Sequence, residues 1–193
     1  MNNRVREIQK KIEELEAEME SLLTSAQEKF YYHVAEGRIF FEETVREYHK
    51  RVREPVLLFI KNANLLHVLL APFVYSMILP IAFADIAVTL FQFICFPIYG
   101  VKKVPRSDFI VIDRHHLSYL NVIEKINCVY CGYGNGVAGY FREVAARTEE
   151  YWCPIKHARR IKSPHSKYQN FADYGDADGY RAKIKKDGDK RGD

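Results

Sequence analysis

Cys128, Cys131, Cys153 and His157 form a Cys-x2-Cys…Cys-x3-His set in a chain of 193 residues with four cysteines in all. Two residues between the first pair let one tight turn aim both sulfurs at a single ion, and the second pair, at i and i+4, does the same from one helical turn. The expectation is a Cys3His metal centre. Structural zinc suits this donor set, and iron or a [2Fe–2S] cluster with one histidine ligand uses the same four residues. Four protein ligands leave no open coordination position, so the metal's expected role is architectural and not catalytic.

Other patterns compete for attention. Gly134-Asn135-Gly136-Val137-Ala138-Gly139 matches G-x-G-x-x-G, but it follows a Cys-rich turn with no preceding strand or βαβ unit, so close packing explains these glycines better than a dinucleotide does. Tyr174-Gly175-Asp176-Ala177-Asp178-Gly179 has the centre of a calcium loop, yet Tyr174 replaces the first ligand and Lys185 the final glutamate. His115-His116 is an ordinary pair or a substitute ligand to the metal. No nucleophile–base arrangement, phosphate loop or Glu-x-x-His pair accompanies them, and the sequence favours a non-enzymatic protein. A redox enzyme using Cys128 and Cys131 as a dithiol is the remaining catalytic reading.

These residues must be positioned by helices, and the pattern predicts a mainly α chain. In segment 1–55 the apolar positions Val5, Ile8, Ile12, Leu15, Met19 and Leu22 follow spacings of 3, 4, 3, 4, 3, a heptad seam set in Glu, Lys and Arg. Beyond a stutter at Ala26, Phe30 and Val34 the seam resumes at Phe41, Val45, Tyr48 and Val52, predicting one coiled-coil helix of about fifty residues. Gly37 and Arg53-Glu54-Pro55 are its weak points. The seam implies homo-oligomerisation through this N-terminal helix.

In segment 56–104, the 36 residues Leu65–Gly100 contain one formally charged side chain, Asp85. A straight helix of that length spans about 54 Å, nearly twice the ~30 Å hydrocarbon core. A membrane hairpin turning near Pro80 is therefore expected, with Asp85 at its tip facing water or headgroups. Basic residues flank both ends: Arg46, Lys50, Arg51, Arg53 and Lys61 before, and Lys102, Lys103, Arg106 and Arg114 after. The positive-inside tendency predicts that both ends are cytoplasmic, whether the segment crosses twice or dips in and returns. Met1 to Leu23 lack the apolar core of a cleavable signal, which predicts a cytosolic N-terminus and reduced cysteines.

Segment 105–165 reads as a small α-rich cytoplasmic module holding the metal. It has a helix from Arg114 to about Ile126 capped by Asp113, a loop at Cys128–Asn135, and an amphipathic helix from Val137 to Tyr151. Tyr130, Tyr133, Tyr151 and Trp152 would form its surface for an unknown protein partner. Segment 166–193 is rich in Asp, Gly, Lys and Arg, predicting a flexible charged tail, disordered from Lys183.

The net charge of +4, from 29 basic and 25 acidic side chains, clusters near the apolar segment and at Lys156, Arg159, Arg160 and Lys162, a placement suited to anionic headgroups of a lipid bilayer. No nucleic-acid-binding motif accompanies it. Cys128-Val129-Tyr130-Cys131-Gly132-Tyr133 resembles a zinc-ribbon or rubredoxin knuckle, although Ile155-Lys156-His157 stands where rubredoxins place another cysteine closer in. The stretch from Leu65 to Arg160, including Cys95-Phe96-Pro97-Ile98-Tyr99-Gly100, Asp113-Arg114-His115-His116 and Tyr151-Trp152-Cys153-Pro154, resembles uncharacterised bacterial inner-membrane proteins. That resemblance implies a bacterial inner-membrane setting and no particular activity. The combined expectation is a membrane-anchored oligomeric scaffold or adaptor with a structural zinc site, or alternatively a membrane-associated redox protein holding iron through the same ligands.

Overall fold

In the computed structural model, which describes residues 3–35 and 38–189, the chain is mainly α-helical. The charged heptads fold as α1, Asn3–Lys29. The helix does not continue to residue 55 as expected. Tyr31 leaves it with φ 52°, and Tyr32–Ala35 (β1) pairs antiparallel with Arg38–Phe41 (β2). These segments are rich in aromatic and β-branched residues, which gain more from cross-strand pairing than from a helix. Tyr32 lies opposite Phe41 and His33 opposite Phe40, with ring centroids 5.6 and 5.3 Å apart. Gly37, the expected weak point, lies outside the described residues. Helix α2, Glu43–Val52, then stops at Arg53-Glu54-Pro55 as expected, and α3, Val56–Asn62, follows.

The chain divides into two compact units, one formed by Met1–Asn62 with Asp113–Lys125, the other by Ala63–Ile112 with Ile126–Asp193. In the second unit α4, Leu65–Ser76, and α5, Ile78–Tyr99, join into one 35-residue helical stretch. The expected hairpin at Pro80 is absent. Proline at the third position of α5 removes only the N–H that would bond Ser76, so the helix is interrupted for one residue at Met77. Met77 keeps helical φ and ψ of −63° and −14°, and Ile81 donates to its carbonyl at 3.3 Å, so the chain carries straight on. Its true end is Gly100, whose φ of +65° closes the helix, with Val101 N–H bonded to Phe96 O at 2.9 Å.

From Val101 the chain returns without regular structure, apart from a 3-10 turn at Arg106–Asp108. In the first unit a 3-10 turn at Arg114–His116 replaces the helix expected there. Helix α6, Val122–Trp152, starts instead from a reciprocal cap: Asn121 Oδ1 accepts from Glu124 N–H at 3.0 Å, and Glu124 Oε2 accepts from Asn121 N–H at 2.8 Å. Within the second unit α6 runs alongside α4–α5 in the same direction. Tyr130 meets Val74 and Tyr75, Tyr140 meets Thr89 and Gln92, and Tyr151 stacks on Tyr99. Val88, Phe96, Val104, Tyr140 and Val144 form the core between them. Beyond α6 the chain folds back through a parallel bridge between Ile155 and Ala172. The expected disordered tail is helical through Asp189, as α7, Ala177–Asp189.

Candidate functional site

Helix α6 decides the fate of the metal-ligand set. Cys128 and Cys131 are not in a knuckle loop; they stand three residues apart on one continuous helix, half-buried and exposed respectively. Cys153 follows the helix end, its N–H bonded to Glu149 O at 2.8 Å. The 22 helical steps from Cys131 to Cys153 place their backbones roughly 33 Å apart, against the ~2.3 Å of a zinc–sulfur bond. His157 lies beyond Cys153, its N–H bonded to Tyr168 Oη at 2.7 Å and its ring stacked on Tyr168. The structure therefore does not bring Cys128, Cys131, Cys153 and His157 to one ion, and the Cys3His centre is corrected to two separate locations. Among the described residues no three His, Cys, Asp or Glu side chains converge on a metal-sized space. His115 and His116 pack against each other, with ring centroids 3.9 Å apart.

What overrode the knuckle is close packing of the returning chain. Gly136 is buried, and a Cβ there would lie 2.7 Å from Phe109 O and 2.8 Å from Ile110 Cα. The glycine-rich stretch is a groove for the return segment, and burial outweighs the helix-propensity cost of about 1 kcal/mol per glycine. Three of the four aromatic residues expected to greet a partner face the same unit instead. Tyr130 Oη donates to Val74 O at 2.8 Å, Tyr133 Oη donates to Asp85 Oδ2 at 2.8 Å, and Tyr151 stacks on Tyr99. Trp152 is exposed, its ring edge-on to Tyr99.

Two polar clasps fix the return segment to α5. Gln92, 6% exposed, accepts from Val104 N–H at 2.9 Å and donates to Val104 O at 3.2 Å, imitating a strand partner for a buried residue that has none. Asp85, expected at a hairpin tip, is buried within α5, where Arg106 grips it through Nε at 3.0 Å and Nη2 at 2.6 Å. Those hydrogen bonds hold the Arg106 guanidinium even further above its ordinary pKa. The one formal charge of the apolar stretch is thus neutralised by a residue 21 positions later. Periodicity could not reveal either partner.

The buried residues Asp85, Val88, Gln92 and Phe96 share one face of α5. The opposite face presents Leu79, Phe83, Ile86, Leu90, Phe93, Ile94 and Ile98 to the surroundings, and α4 has no buried residue at all. In the most apolar 18-residue window of this stretch only 17% is buried, where the core helix of a soluble protein would be mostly covered. By length and composition the stretch is able to cross a membrane. At its C-terminal end the Lys103 ammonium sits 4.1 Å from the centroid of Phe93, on that outward face. In a groove of about 590 Å³ beside it, Val88, Phe91, Phe141, Val144, Trp152 and Cys153 are among the lining residues.

The first unit carries a separate cavity of about 520 Å³, walled by Phe30, Tyr32, Phe41, His49 and Tyr119, with Asp113, Arg114 and His116 also lining it. His49 is held edge-on between Phe41 and Tyr119, at 5.3 and 5.0 Å. The sequence hid this cluster because its residues come from two distant segments, 27–49 and 113–119. Comparison with protein-family models, with curated proteins and with solved structures gives no match to this chain.

Proposed function

We propose that this chain is a membrane-anchored, self-associating scaffold without catalytic chemistry, seated in the cytoplasmic leaflet of a bacterial inner membrane by the outward face of α4–α5. The observation that carries the reading is the division of α5 into two faces: one covered by the return segment and α6, the other an uninterrupted row of exposed Leu, Ile and Phe. Exposed apolar area on this scale is rare on a soluble monomer and suits lipid. Lys102 and Lys103 directly follow the apolar stretch, and an orientation along the leaflet keeps them near anionic headgroups. Lys103 over Phe93 fits a lysine whose stem follows the apolar face while its ammonium reaches the headgroups. Anchoring does not depend on zinc or iron, because the residues that suggested the metal lie at separate places on α6 and beyond it.

The full chain is expected in the membrane fraction, resistant to alkaline carbonate and released by detergent. A chain that remains monomeric and soluble without detergent would refute the anchor. Tags at the two ends should both be reached from the cytoplasmic face of inverted vesicles; a tag sealed on the far side would show a crossing instead of a leaflet-embedded helix.

A further inference from the structure

We infer that α1 is one strand of a parallel, in-register, two-stranded coiled coil whose other strand is the α1 of a second copy of this chain; the inference rests on the scaffold reading above and supplies its association step. From Glu7 to Ser25 every described side chain of α1 is exposed, including Ile8, Ile12, Leu15, Met19 and Leu22. At the C-terminal end of the helix Gln27 and the following Phe30 line the cavity beside the β-hairpin. An isolated helix with an uncovered apolar seam needs a partner, since packing of such a face supplies most of a helix's stability.

The seam itself selects the partner. Val5, Ile12, Met19 and Ala26 occupy one core position of the heptad, a, and Ile8, Leu15 and Leu22 the other, d. Two apolar positions in seven make a stripe too narrow for a multi-helix bundle but right for a coiled-coil seam. Branched Val5 and Ile12 at a, with Leu15 and Leu22 at d, are the combination that favours two parallel strands. In that arrangement each g residue meets the e residue five positions later on the other strand. Lys11 then faces Glu16 of the partner subunit, twice by symmetry, and the remaining pairs bring no like charges together: Arg4 with Gln9, and Glu18 with Leu23.

A bilayer is the rival occupant, and charge argues against it. Glu13, Glu14, Glu16, Glu18 and Glu20 follow Ile12 with no basic residue among them, whereas helices that lie on anionic membranes carry lysine and arginine on the polar face. Three heptads alone associate weakly, but chains confined to one membrane meet at high effective concentration. The seam and the anchor are thus complementary.

The test uses full-length Ile8→Cys and Met19→Cys variants under mild oxidation in native membranes, with linked peptides identified by mass spectrometry. Ile8→Cys alone should give a disulfide joining the two copies of position 8, at least tenfold above any link formed by mixing it with Met19→Cys. The reverse result places position 8 beside position 19, the layer pairing of an antiparallel dimer, and overturns the inference while leaving self-association intact. Absence of both links overturns the inference and the self-association with it. Carbonate resistance, measured on the same membranes, reports on the anchor independently. Lys11→Glu should reduce the position-8 link several-fold and Lys11→Glu with Glu16→Lys should restore it; an antiparallel pair, in which Lys11 faces Glu18, would not be restored.

Discussion

Helix α1 and the α4–α5 stretch both leave apolar side chains uncovered, yet the width of the exposed surface separates them. On α1 it is a seam one or two residues wide, bounded on both sides by Glu, Lys and Arg. On α4 no residue is buried, and on α5 it covers the whole face opposite Asp85 and Gln92. A narrow seam can be covered by one more helix, and its flanking charges dictate which helix. A surface apolar over half its circumference or more, without flanking charges, specifies no protein partner and suits acyl chains. On the proposed function, the same hydrophobic effect yields a specific contact in one region and a solvent-like one in the other.

Charge placed on the outward surface of α5 should break this contrast most strongly. Phe83→Arg with Ile94→Arg puts two cations on the face proposed to meet acyl chains, at a cost of up to about 2.5–3.5 kcal/mol each, the value at the centre of a bilayer. The variant should shift from the carbonate-resistant fraction to the extract, while Leu15→Arg on α1 should leave that fraction unchanged and remove self-association. Equal behaviour of the two variants would erase the distinction.

Next in size is the clasp that makes α5 two-faced. Gln92→Leu strands the buried N–H and carbonyl of Val104, a loss of about 2–6 kcal/mol at ~1–3 kcal/mol per unsatisfied group. A lowered denaturation midpoint in detergent, with membrane retention unchanged, is the expected result, because the outward face is untouched. Smaller still is the glycine groove. Gly136→Ala must displace Phe109 and Ile110 backbone and should cost about 1–3 kcal/mol. Gly134→Ala meets only Ile81 Cδ1, at 3.5 Å, and should be neutral or stabilising by up to ~1 kcal/mol through helix propensity. Equal effects at the two positions would show that the return segment does not bear on α6.

Local patterns were legible wherever one segment contained its own explanation. The heptads of α1, the break at Arg53-Glu54-Pro55 and the apolar character of Leu65–Gly100 each depend on neighbours within a few residues. The readings that failed required knowing what lay across the space. Tyr31 to Phe41 continued an apolar seam well enough to look helical, and only cross-strand aromatic pairs favour the hairpin. Pro80 looked like a turn because the helix seemed too long for a bilayer, but a proline in a first turn costs a helix little.

The metal centre is the sharpest case. Cys-x2-Cys-Gly followed by Cys-x3-His is a statement about spacing, and spacing becomes distance only when the intervening chain is known. Had residues 132–152 folded back, the four donors would have met; as one helix they hold Cys131 and Cys153 apart. By itself the sequence determined that the chain is mainly helical, that α1 carries an apolar heptad seam and that α4–α5 is apolar enough for a membrane, since these follow from periodicity and composition along the chain. Only the tertiary structure decided that the glycines receive a returning segment, that Arg106 neutralises Asp85 and that the cysteines stay apart, because each depends on contacts between residues whose separation in sequence says nothing about their separation in space.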